Sequence, residues 1–156
     1  MATQGGSVTL DNVNITTSGA DSAPLATDRG GGTITANGGN VLASGKDSPA
    51  LYSTGTITVD GGTYEATGAE AAVIEGANSI VLNDVDLLSS VPDKWGVMIY
   101  RNVSADARGA GSTFTMTGGS LKYAGKSGPL FFVTNSTGII VLEDVDVTTA
   151  SGVLVK

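Results

Sequence analysis

The sequence predicts an all-β fold, a β-solenoid of about six rungs with three short strands in each. Three observations carry that prediction. A strand-forming triplet recurs six times, as Val8-Thr9-Leu10, Ile34-Thr35-Ala36, Ile57-Thr58-Val59, Ile80-Val81-Leu82, Phe114-Thr115-Met116 and Ile140-Val141-Leu142, with offsets of 26, 23, 23, 34 and 26 residues. Seven residues after each start lies a second apolar column: Ile15, Val41, Tyr64, Leu87, Leu121 and Val147. A third apolar segment follows in each repeat: Pro24-Leu25, Ala50-Leu51, Ala72-Val73, Val97-Met98, Leu130-Phe131 and Val153-Leu154. Repeats of this kind hide their apolar edges only by stacking on one another.

The first strand of each rung alternates at period two, as in Val8/Leu10 and Ile57/Val59, and no helical period occurs. Between first and second strands stands a corner of one of two kinds. Rungs one, four and six use Asp11-Asn12-Val13-Asn14, Asn83-Asp84-Val85-Asp86 and Glu143-Asp144-Val145-Asp146. Rungs two, three and five use Asn37-Gly38-Gly39-Asn40, Asp60-Gly61-Gly62-Thr63 and Thr117-Gly118-Gly119-Ser120. Glycine reaches positive φ without penalty, and Asn or Asp tolerates it, so both corners answer one steric demand.

Segments such as Gly55-Thr56-Ile57-Thr58-Val59-Asp60-Gly61-Gly62-Thr63-Tyr64 and Phe114-Thr115-Met116-Thr117-Gly118-Gly119-Ser120-Leu121 resemble the right-handed parallel β-helices of the pectin-lyase-like superfamily. The texture is most like the repeat-rich passenger domains of autotransporters and adhesin-like surface proteins. That resemblance implies one right-handed β-helix domain over residues 1–156, a module or fragment of a longer surface protein. The motif encodes corners and not chemistry, so it speaks to fold more than to function.

Composition narrows the chemistry. The chain has no Cys and no His, which removes disulfides, thiolates, zinc–sulfur sites and the usual general base. A net charge of −7 argues against nucleic acid as a partner. No apolar run approaches the ~18 residues that cross a bilayer. Met1-Ala2-Thr3 carries no signal-peptide pattern, yet the Thr-, Asn- and Gly-rich, Cys-free composition fits an extracellular or cell-surface location.

Three groups of side chains compete for a functional role. The corner carboxylates form two columns, Asp11/Asn37/Asp60/Asn83/Thr117/Glu143 and Asn14/Asn40/Thr63/Asp86/Ser120/Asp146. Neither places two carboxylates on adjacent rungs. That interleaving avoids like-charge repulsion, whereas calcium or glycoside hydrolysis needs carboxylates gathered together. No catalytic residue, metal site or cofactor is therefore assigned. The second group, the Thr pairs Thr33/Thr35, Thr56/Thr58 and Thr113/Thr115, resembles an ice-binding array, interrupted by Val81 and Val141. The third group surrounds a long insertion in rung four, Arg101–Gly111, which is expected to project from the solenoid. Trp95, Tyr100, Arg101, Asp106 and Arg108 are its candidate ligand-binding residues, an aromatic beside basic groups being suited to a sugar or a carboxylate.

In the third strand both parities are apolar. One set, Leu25, Leu51, Val73, Met98, Phe131 and Leu154, is assigned to the core. The other, Ala26, Tyr52, Ile74, Ile99, Phe132 and Val155, is assigned outward. An outward apolar stripe of that length predicts an interface, so Tyr52, Ile74, Ile99, Phe132 and Val155 are the interface candidates. A homo-oligomer or a covering partner on this third sheet is expected, as is end-to-end association, because no capping rung follows Leu154. The functional expectation is a non-catalytic structural and binding module of an adhesin-like protein, with a polysaccharide or cell-surface ligand. A polysaccharide lyase or hydrolase is the alternative, and ice binding the third.

Overall fold

The computed structural model describes every residue except 103–106 and 108. It is a parallel β-solenoid of about six turns, with no helix among the described residues. The chain opens with β1 (Ala2–Thr3), β2 (Gly6–Asp11), β3 (Ile15–Thr17) and β4 (Leu25–Asp28). Next come β5 (Gly32–Asn37), β6 (Asn40–Ala43), β7 (Leu51–Ser53), β8 (Thr56–Asp60), β9 (Thr63–Ala66) and β10 (Ala72–Glu75). Then follow β11 (Ser79–Asn83), β12 (Asp86–Ser89), β13 (Val97–Tyr100) and β14 (Ser112–Thr117). The last four are β15 (Ser120–Tyr123), β16 (Phe131–Thr134), β17 (Gly138–Glu143) and β18 (Asp146–Thr149). Every third strand stacks in parallel. The first sheet runs from β2 to β17, the second from β3 to β18, and the third from β1 to β16.

The corner fixes this stacking. Asn12, Gly38, Gly61, Asp84, Gly118 and Asp144 occupy one column, and all six have positive φ, between 50° and 71°. Each of the first five donates its amide to the rung above, to the carbonyls of Asn37, Asp60, Asn83, Thr117 and Glu143, at 2.7–2.9 Å. The diglycine corners add a second positive φ, as at Gly62, where φ is 95°. There a Cβ would also run into the Gly39 carbonyl. The two corner chemistries thus share one conformation at their first position and part at the second.

The first and second apolar columns stack as their spacing predicts, Ile34 on Ile57 on Ile80 on Phe114, and Val41 on Tyr64 on Leu87 on Leu121. These side chains fill the interior, with Phe114 and Phe131 meeting edge to face at 5.4 Å. The buried Tyr64 hydroxyl donates to the Gly38 carbonyl at 3.0 Å. In the corner columns Asn14 accepts from Asn40, and Asp86 accepts from the Ser120 hydroxyl, so polar ladders separate the carboxylates.

The third sheet differs from expectation by one residue in two rungs. Leu51 pairs with Ala72 rather than Val73, and Ala72 with Val97, which pairs with Phe131. The inward column is Leu25, Leu51, Ala72, Val97 and Phe131. The outward one is Ala26, Tyr52, Val73, Met98 and Phe132. Ile74 and Ile99 therefore point inward and are fully buried, so they belong to the core and not to an interface. Val155 bridges Phe131 in the inward register, so it too belongs to the inward column rather than to an outward interface. The small Ala72 misleads because a core of stacked rungs accepts a methyl wherever larger neighbours fill the volume.

Of the rung-four insertion, expected to project, residues 103–106 and 108 lie outside the described residues; Ala107 is buried against Gly76, where it fills the space a side chain would need. At the last rung β17 and β18 are sheet edges, and Ile139, Val141, Val147 and Leu154 are exposed there.

Two substitutions separate corner conformation from corner composition. Gly62→Ala is expected to destabilise by about 1–3 kcal/mol, because it strains the left-handed backbone and crowds Gly39. Asp84→Gly should stay within about 0.5 kcal/mol of the parent, since its backbone is already left-handed. Urea denaturation of both variants checks this.

Candidate groove on the third sheet

The outward column of the third sheet forms the floor of a groove that crosses the strands. One recess of about 440 Å³ is lined by Asp47, Pro49, Tyr52, Glu70, Val73, Lys94, Trp95, Met98 and Tyr100. A second of about 370 Å³ continues it through Asp47, Pro49 and Tyr52 to Ala26, Ala23, Ser22, Asp21 and Met1. The two recesses adjoin at Asp47, Pro49 and Tyr52 and together form a trough of two parts along rungs one to four.

Its wall comes from the turns that lead into the third strands. Leu51 donates its amide to the Ala71 carbonyl, and Ala71 to that of Gly96, so Glu70 lies between Pro49 and Trp95 on successive rungs. The Trp95 turn is pinned from beneath. The Tyr123 hydroxyl donates to the Lys94 carbonyl at 2.6 Å, and Ser89 reaches the Ala69 carbonyl at 3.1 Å and that of Trp95 at 3.4 Å. Trp95 then lies flat on Phe132, with ring centres 4.0 Å apart and planes 12° apart. The chain itself thus covers the most aromatic part of the outward stripe.

On the opposite side a carboxylate is enclosed. Glu75 is 2% exposed, and its Oε2 accepts from the hydroxyls of Tyr52 at 2.5 Å and Tyr100 at 2.9 Å. Its Oε1 has no partner among the described residues. Burial, then the bond to Glu75, pushes the Tyr52 phenol far above its ordinary value. Tyr100 is raised chiefly by burial, to about 12. Both rings are therefore neutral phenols, fixed by their bonds to Glu75 at the recess that Val73 also lines.

The remaining charges lie along the wall. The Lys94 ammonium pairs with Asp47, and by that hydrogen bond and its charge it holds the Asp47 carboxyl below its usual range. Glu70 is 5% exposed, and burial pushes its carboxyl upward, against the opposing pull of its own backbone amide and of Lys94.

Of the residues singled out in the sequence, Trp95, Tyr100 and Tyr52 line this groove, and Phe132 lies beneath Trp95. Arg101 is exposed outside it, while Asp106 and Arg108 lie outside the described residues. Asp47, Pro49, Glu70, Lys94 and Glu75 were not anticipated. Their signal was weak, because they sit in turns or at an outward strand position with no apolar periodicity to mark them. No group of three or more acidic residues among the described ones is arranged to hold a metal ion.

The fold and groove define a parallel β-solenoid with a lateral cleft. Comparison with protein-family models, curated proteins and solved structures finds no match for the chain.

All four tyrosines have phenols raised by burial. In the unfolded chain a phenol ionises near pH ~10. Above that pH the unfolded state loses protons that the folded state keeps, so stability is full below it and falls as pH rises. Spectrophotometric titration is expected to show almost no tyrosinate until the chain unfolds in alkali.

Proposed function

We propose that the chain is a non-catalytic binding module of a secreted or cell-surface protein, and that it holds an extended carbohydrate chain along the third-sheet groove. One observation carries this reading: two adjoining recesses along four rungs, floored by apolar side chains and lined by Tyr52, Trp95 and Tyr100. Sugars present apolar C–H faces and hydroxyl edges, which suit aromatic walls with a few fixed polar groups between them. A peptide strand would need a free sheet edge, and the groove floor consists of strands already paired on both sides.

The hydrolase alternative requires two carboxylates free to act on one bond. Glu70 has the raised proton affinity of a general acid, but Asp47, the other carboxylate of its recess, is tied to Lys94. That pairing favours binding over cleavage.

Trp95 is the only tryptophan, so its fluorescence reports on the groove directly. Oligosaccharides that bind should change its emission. Trp95→Ala is expected to weaken their binding, followed by calorimetry, by about tenfold or more. The melting temperature should fall only slightly, because Trp95 lies outside the core. Unaltered affinity in Trp95→Ala would place the ligand elsewhere.

A further inference from the structure

The groove is one-sided in charge. Glu70 and Glu75 are almost wholly buried, and neither meets a cation within ion-pair distance among the described residues. Lys94 is the only basic side chain lining the trough, and it is engaged by Asp47, which Lys46 also approaches at 3.7 Å. With Asp47, Glu70 and Glu75 set against Lys94, the site lacks positive charge.

Of the carboxylates lining the larger recess, Asp47 is engaged by Lys94 and Glu70 is not. Glu70 lies between Pro49 and Trp95 on the wall, where its own backbone amide is its near hydrogen-bond donor and no cation stands within ion-pair distance among the described residues. Burying such a group without a counter-charge costs stability, and a ligand that brings the missing charge reduces that cost. Across the groove, Tyr52 and Tyr100 line the same recess while their hydroxyls both donate to Glu75, which lies behind them. Aromatic faces beside carboxylates attract ammonium groups.

We infer that the groove selects sugar chains bearing free ammonium groups, namely amino-sugar oligomers with unacetylated amines, over neutral and uronate chains. This rests on the carbohydrate reading and names the ligand class within it. The ammonium forms a charge-assisted bond to Glu70 while the sugar face packs on the aromatic wall. An acetylated amine leaves Glu70 without a counter-charge. A uronate adds a further carboxylate to a trough already lined by Asp21, Asp47 and Glu70, so it is disfavoured by repulsion.

The test compares oligomers of glucosamine, N-acetylglucosamine and galacturonate on the unmodified chain, by Trp95 fluorescence and calorimetry, at a pH where the amine is protonated. The expected order is glucosamine first, by roughly tenfold over the acetylated oligomer, with galacturonate weakest. Added salt should narrow that preference. Glu70→Gln should lower glucosamine affinity toward that of the acetylated oligomer, with circular dichroism confirming the fold. Equal affinity for the two amino sugars, or tightest binding of galacturonate, overturns the ammonium inference and leaves carbohydrate binding standing. No binding of any of the three overturns the carbohydrate reading itself.

Discussion

The structure depends on a single backbone state repeated six times. At the first corner of every rung one residue is left-handed, and in five rungs its amide donates to the carbonyl of the rung above. A corner without that bond would leave a polar group unpaired at the edge of the core, and the strands on either side would lose their common starting point. Because strand side chains alternate, a slip of one residue at any corner would turn a whole apolar column outward. The corner therefore sets register for the first and second sheets together, and the stacked core follows from it.

This is why those two sheets were legible in the sequence and the third was not. Asn12, Gly38 and their equivalents mark the corner chemically, and the columns on either side could be counted from it. The third strand is reached through turns of unequal length that carry no such marker. Its inward column includes Ala72, so counting large apolar residues shifted rungs three and four by one and sent Ile74 and Ile99 to the wrong face. Trp95 and Tyr100 stood out as aromatic residues near an insertion. Glu70 and Glu75 did not, because only the stacking of turns on strands buries them.

The groove thus arises where the solenoid is least regular. Pro49, Glu70 and Trp95 stand in one column without being chemically alike, unlike the Thr and Asn columns elsewhere. A repeating column offers the same group at every rung, which suits an extended flat surface. A column of unlike residues offers a sequence of distinct subsites along one line, and that arrangement gives a linear ligand direction and register.

The enclosed Glu75 has a consequence for motion. Solenoids open from their ends, rung by rung, since each repeat touches only its neighbours. Tyr52 in rung two and Tyr100 in rung four close on one carboxylate in rung three. That clasp binds three repeats into a unit that must open together, so backbone amides in β7, β10 and β13 belong to one cooperative exchange group rather than to a gradient. The part of the cleft lined by Tyr52, Val73, Met98 and Tyr100 is built on that group, whereas its rung-one end is not tied into the clasp.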